Sequence, residues 1–392
     1  MGGWLRPICR PWVSVVFFSA LIALFSSQAA LSAERPRSGT PMPNKPELGS
    51  AGERLNANTI AIVSGNLNAT YLTIAYDLSA VLDNGDEFRV LPVVGKGGGQ
   101  NIRDVRYLKG IDLGITQSNL LNAFRRSNEI GTIDDKIVYL AKLFNEEMHL
   151  VVRADSGITA IDQLAGKKVN FSDIGSGSQL SSRDIFERLG IKVQEVNMGQ
   201  ADAVEALKSG QIAATILIAG KPAASMAKIQ ASDGFRILPV PYRKQLQGDY
   251  LPTTLSADDY PKLVDRNQPV ETIAVGAVLI AYNWPEGSDR YRRIQAFVDN
   301  FFPKLAEFQK APRHPKWKET NLSATLPGWT RFKGADEWLK RQQPQQTPVA
   351  QRDQFERFVA AKRPDASPAD REQLFKDFMQ WRNAQGNSQG SN

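Results

Sequence analysis

Cysteine is nearly missing from this chain: Cys9 is the only one among 392 residues. It lies in an N-terminal stretch expected to be removed. The remaining chain then has no thiol, which excludes disulfides, thiolate metal centres and cysteine nucleophiles. Histidine is almost as scarce, with His149 and His314 far apart and no carboxylate pattern beside either. Such a chain offers no metal-ligand constellation and no Ser-His-Asp arrangement, and no Ser sits in a strand-to-helix nucleophile elbow. No enzyme, metal or cofactor is expected. Long apolar runs are lacking too: after Trp12 to Phe25, nothing is apolar enough to span a membrane.

The N-terminus itself reads as an address. Arg6 and Arg10 precede that apolar run, and small residues follow up to Leu31-Ser32-Ala33. A basic start, a short apolar core and a small-residue exit describe a cleavable signal peptide over residues 1–33, hence export to the periplasm. The chain carries 48 Lys and Arg against 41 Asp and Glu, a net charge of +7. The excess lies in the leader and in residues 305–392, while residues 34–304 hold equal numbers of each sign. The basic pI therefore says little about the ligand of the main body.

Residues 34–57, rich in Pro and polar residues, read as a disordered lead-in. Regular alternation follows: strands over Thr59–Val63, Phe88–Val94 and Ile111–Ile115, each entering a helix through a polar or Gly-rich loop. Ile137–Leu143 and Met148–Val152 read as two β-rich runs. Further strands are expected over Lys168–Phe171, Val193–Val196, Ala214–Ile218, Phe235–Val240 and Thr272–Ala281, with helices between them and one from about Asp289 to Lys310. Strands separated by helices imply parallel sheets, and two such sheets fit better than one. Ligands of such sheets bind beyond the strand C-termini, in the loops leading to the helices.

Those loops supply the candidate site. Asn170 to Ser178 places a strand before a Ser/Gly turn that opens a helix, where free N–H groups and the positive end of the dipole can hold an anion. Ser176, Gly177 and Ser178 are its candidates, although Ser-Gly-Ser is also an ordinary helix cap. A second unit of the same design carries Ser64, Asn66, Asn68, Thr70 and Tyr71. Tyr71 reads either as cleft wall or as core. Gly95 to Gly99, with Lys96 inside it, has the wrong spacing for a dinucleotide fingerprint. Gly98 there lets backbone approach a ligand closely. Gln117 and Ser118 end the third strand, and Gly220 ends another. Asp173 reads as solvated. Trp317, Trp329, Trp338 and Trp381 fall in the basic C-terminal part, where they either anchor the segment on the body or engage a partner.

Three segments in order carry a resemblance: Ile60 to Tyr71, Gly110 to Ser118, and Asp155-Ser156-Gly157-Ile158 running through Asp162 to Val169 to Gly175-Ser176-Gly177-Ser178. The chain resembles the TAXI family of solute receptors of TRAP transporters over roughly residues 58–310. The loop Gly95 to Asn101 departs from the family's Thr- and Ser-bearing pattern, and only Asn101 carries over there. The resemblance implies a two-lobe, type II periplasmic-binding-protein-like α/β fold with parallel-rich sheets and a helical C-terminal extension. Lobe one would be residues 58–152 plus 250–310, lobe two 153–245, and the extension 311–392. It implies a monomeric receptor, without nucleic-acid partners, that captures a small organic acid or amino acid between the lobes. Delivery would be to TRAP transporter membrane subunits. The alternative is a periplasmic sensor or interaction module that binds a solute and engages a partner through its C-terminal extension.

Overall fold

The computed structural model describes residues 48–342 except 68 and 86, together with 355, 367, 370 and 373–375. The expected leader, residues 34–47 and most of the chain beyond 342, Trp381 included, lie outside the described residues. Residues 48–57, expected as part of an unstructured lead-in, form a helix, α1 (Leu48–Ala57). Ala51, Glu53, Arg54, Leu55 and Ala57 are good helix formers, enough for a ten-residue segment that ends where the first strand starts.

The alternation then proceeds as β1 (Thr59–Val63), α2 (Thr70–Leu82), β2 (Arg89–Val93), α3 (Gly98–Tyr107), β3 (Leu113–Gln117) and α4 (Leu120–Ser127). A 17-residue strand follows, β4 (Ile137–Arg153). Next come β5 (Lys168–Asn170), α5 (Gly177–Leu189), β6 (Gln194–Val196), α6 (Gln200–Lys208), β7 (Ala214–Ala219), α7 (Ala224–Ala227), β8 (Phe235–Ile237) and β9 (Leu251–Leu255). The chain returns through β10 (Val270–Tyr282), α8 (Asp289–Phe301), α9 (Leu305–Phe308), a 3-10 helix over Pro315–Glu319, β11 (Thr330–Arg331) and α10 (Lys333–Gln342).

All of these strands belong to one 11-stranded mixed sheet with the central order β2-β1-β3-β10-β4-β7-β5-β6. The expectation of two separate sheets is corrected here. The trios β2-β1-β3 and β7-β5-β6 are parallel, as helix-linked strands should be. Between them β10 and β4 run antiparallel to each other and to their neighbours β3 and β7, fusing the trios. The two runs expected around 137–152 are one strand, because Glu146 and Glu147, which look like an interruption, are buried within it with partners.

Four apolar clusters cover the sheet, two at each end. At the β2-β1-β3 end, Ile74, Leu78, Leu140, Phe297 and Phe301 pack on one face and Ile102, Val105, Leu121 and Phe124 on the other. At the β7-β5-β6 end, Leu150, Val169, Ile185 and Ile216 face Val151, Leu207, Met226 and Tyr260. β4 changes ends between Phe144 and Met148, and β10 does so between Val275 and Ala277. These points are paired: Asn145 lies opposite Gly276 and Glu146 opposite Val275. The Trp-rich segment joins the first end. Trp317 is fully buried against Phe301 and Phe308, its indole donating to Asp77 at 2.9 Å, and Trp329 and Trp338 pack nearby. Among the described residues no helix is long and apolar enough to cross a membrane.

Candidate functional site

The loops at the C-terminal ends of β1, β2, β5, β6 and β7 surround one cavity of about 640 Å³. The first residues of four helices line it: Thr70 of α2, Gly98 of α3, Gly177 of α5 and Gln200 of α6. Each helix N-terminus acts as roughly half a positive charge within its first turn. No side chain caps α2, α3 or α6, so their leading N–H groups are not satisfied in that way. Such a convergence attracts an anionic group.

Two of these helices nearly touch. Gly98 has a φ of 49°, in the region that favours glycine, and a Cβ placed there would lie 2.3 Å from the Cα of Gly177. A Cβ on Gly177 would come 2.8 Å from the Gln117 side chain. The Gln100 N–H also donates to the Gly175 carbonyl at 3.3 Å. Glycine at both positions is what lets the two loops close over the cavity. Further out, the Asn119 amide donates to the Ser181 and Tyr250 hydroxyls, each at 2.9 Å, and Arg126 pairs with Asp184.

The cavity floor is polar in an unexpected way. Glu146 is 3 % exposed, and its Oε2 accepts the Tyr71 hydroxyl at 2.5 Å. The Gln117 amide adjoins it and favours its ionised form. Burial, followed by the adjacent Glu147 charge, pushes the Glu146 carboxyl up to about 8, against the opposing pull of Tyr71, Gln117 and Lys316. Burial first, and then Glu146, hold the Tyr71 hydroxyl well above its ordinary range, so it remains a neutral donor.

Of the residues singled out from sequence, Asn66, Thr70, Tyr71, Gly98, Gln117, Ser176, Gly177 and Ser178 line the cavity. Several already have local work. Ser176 caps α5 by accepting from the Gln179 N–H, and the Ser178 hydroxyl is bonded to the backbone of Ile218. Thr70 donates to the Gly220 carbonyl at 3.2 Å. Ser64, Asn101, Ser118 and Gly220 are not among the lining residues. The Ser64 hydroxyl donates to Val93, and Asn101 ties together the carbonyls of Val63, Ser64 and Ile115, so both fasten the loops behind the cavity. The Ser118 carbonyl accepts from the Trp329 indole, and Gly220 is packed between Phe144, Thr70 and Lys316. Asn68 lies outside the described residues.

Sequence reasoning missed Glu146 and the α6 N-terminus with Gly199 and Gln200, and it turned Asp173 outward, whereas Asp173 lines the cavity. The signal for Glu146 was an acid inside a long apolar strand pattern. Among the described residues no three His, Cys, Asp or Glu side chains come together as a metal site. His149 is instead buried between the Leu217 carbonyl and the Tyr260 hydroxyl.

Solved structures that align with the chain include the periplasmic binding protein BugD, at 15% identity over 73% of this chain and 94% of that one, TM-score 0.44. Another is the periplasmic aliphatic sulphonate binding protein SsuA from Escherichia coli, at 17% identity over 81% and 96% respectively, TM-score 0.41. A third is MatC from Rhodopseudomonas palustris with bound malate, at 13% identity over 74% and 93%, TM-score 0.41. Residues 62–340, which span the sheet, the cavity loops and the buried Trp segment, match the NMT1-like family, and the chain belongs to that family.

Proposed function

We propose that this chain is an extracytoplasmic solute receptor that captures a small organic acid or amino acid by its anionic group. The observation that carries the reading is the convergence of four helix N-termini on one cavity, two from each end of the sheet. A solute touching both ends favours the closed arrangement over an open one, a population shift rather than covalent chemistry. In this reading residues 58–152 with 250–310 form one lobe and 153–245 the other, residues 1–33 are the export signal, and the monomer works in the periplasm. The resemblance to TAXI receptors supports delivery to the membrane subunits of a TRAP transporter. The alternative, a sensor acting through its C-terminal aromatics, is weakened because Trp317 and Trp329 are spent on the body's own core.

A thermal-shift screen of residues 34–392 against small organic acids and amino acids tests the proposal. A ligand that binds only the folded state raises Tm by mass action, about 2.7 kcal/mol at a hundredfold excess over Kd. A saturable shift with one solute, abolished by joint substitution of Ser176, Ser178 and Gln117 with Ala, is the expected result. Shifts only with cations would sink anion capture.

A further inference from the structure

Anion capture by helix N-termini makes no use of the cavity floor, yet the floor holds a buried acid. Tyr71 donates to Oε2 of Glu146. The Gln117 Oε1 is occupied by the Ser181 hydroxyl at 2.6 Å, which leaves its NH2 to face Glu146. Gln117 thus presents only donors, and with the Tyr71 hydroxyl donating to Oε2, a proton on the other carboxyl oxygen finds no acceptor in Gln117. The open direction for that proton is the cavity, which Glu146 lines.

Glu147 is next after Glu146 on β4, Lys316 approaches from the 3-10 helix, and Tyr71 is the ionisable group of α2 that bonds to Glu146. β10 offers Val275 opposite Glu146, and Lys96, Asp173, Glu205, Lys208, Lys228 and Asp233 line the same cavity. Burial, the first cause, and Glu147 hold the carboxyl near 8, so it carries its proton at neutral pH. A buried donor without an acceptor is costly, and a solute oxygen supplies one.

We propose that protonated Glu146 is a ligand-contacting, specificity-determining residue that donates a hydrogen bond to an oxygen of the solute, so that the site takes an organic acid lacking an ammonium group and rejects the matching amino acid. An ammonium at the floor would force Glu146 to ionise beside Glu147, where both carboxylates are buried. It would also face the positive ends of α2 and α3. This assignment deepens the receptor reading and rests on it.

The test compares matched pairs that differ by the amino group: L-lactate with L-alanine, L-malate with L-aspartate, and glutarate with L-glutamate. Affinities are measured calorimetrically between pH 6 and 10 on residues 34–392. At least one acid should bind tenfold or more tightly than its amino partner. Its Kd should stay flat below pH 7.5 and rise roughly tenfold per pH unit once Glu146 ionises. Glu146→Gln, which keeps a neutral donor, should bind that acid within about threefold of wild type and lose the pH dependence. An amino acid that binds tighter than its acid, an affinity that improves through pH 8, or an unchanged pH profile in Glu146→Gln overturns the assignment and leaves the receptor reading standing. Silence from every pair overturns the receptor reading for small acids, and this assignment with it.

Discussion

Two buried side chains give this protein opposite responses to pH. His149 is fully buried. Its Nδ1 meets the Leu217 carbonyl at 3.2 Å, which can only accept, so Nδ1 carries the hydrogen and Nε2 accepts from the Tyr260 hydroxyl at 2.8 Å. Burial pushes this imidazole down to about 4. A depressed folded-state value means that the stability held above the unfolded value of 6.5 is lost as pH falls through about 4. The effect is on the order of 3 kcal/mol. The difference in denaturant stability between wild type and His149→Gln should therefore shrink between pH 6.5 and 4; a constant difference refutes the buried neutral imidazole. Glu146 has the reverse sign. Its raised value means that stability present below about 4.5 is lost as pH rises through about 8. Glu146→Gln should accordingly gain on wild type at pH 8–9, by about 1–3 kcal/mol, and converge with it near pH 4.5.

Also at this scale, Gly177→Ala puts a methyl 2.8 Å from the Gln117 side chain while leaving the backbone of α5 unstrained. Ligand affinity should drop at least tenfold, while the ligand-free protein, forced to move the buried Gln117 side chain, loses only about 1–3 kcal/mol and still unfolds cooperatively. Equal affinity for wild type and variant would mean that the close contact of Gly177 with Gln117 is unrelated to binding.

Among the elements, the 3-10 helix Pro315–Glu319 acts as a clamp on β4. Lys316, 2 % exposed, pairs with Glu147 at 2.6 Å and with Glu319 at 2.7 Å, and Glu319 accepts from the Asn145 N–H at 2.9 Å. Breaking a buried pair from one side strands the other charge. Lys316→Met should cost about 3–5 kcal/mol, and Lys316→Met with Glu147→Leu should recover most of it. Chemical denaturation of the three proteins measures this directly; a double variant no better than the single one would show that the pair is not the source of the loss.

The elements differ in how far sequence exposes them. β1–α2, β2–α3 and β5–α5 are legible because apolar periodicity switches cleanly at a Gly/Ser/Asn loop, and those loops do border the cavity. Fusion into one sheet is not legible, because it depends on β4 pairing with β10, which follows more than a hundred residues later, and local periodicity carries no information about that. Glu146 hides for a related reason: two acids in an apolar run look like a strand end unless their partners, Tyr71 and Lys316, are known. Ser64, in the loop after β1, and Asn101, in the first turn of α3, show the converse: polar residues whose side-chain hydrogen bonds go to backbone.

For the molecule as a whole, the sheet and its four clusters are, among the described residues, complete by α10. Deleting residues 343–392 should leave Tm and solute affinity unchanged, whereas truncation after Lys310 removes fully buried Trp317 and Phe332. Losing aromatic side chains of that kind costs about 3–5 kcal/mol each, so the shorter chain should fail to fold. A calorimetric scan of both truncations checks this; a cooperative transition in the shorter one would show that the Trp segment is an accessory.

The pairing of Asn145 with Gly276 and of Glu146 with Val275 has a mechanical meaning. Both strands change ends there, so an opening of the proposed receptor would turn about this place. Points near an axis travel least, and the close approach of Gly98 to Gly177 is a contact between the two ends that such a turn would break. A solute resting on Glu146 would thus keep its footing through the whole swing, and grip would be gained and surrendered at the rim. Capture then begins at the fulcrum, and release begins at the lips.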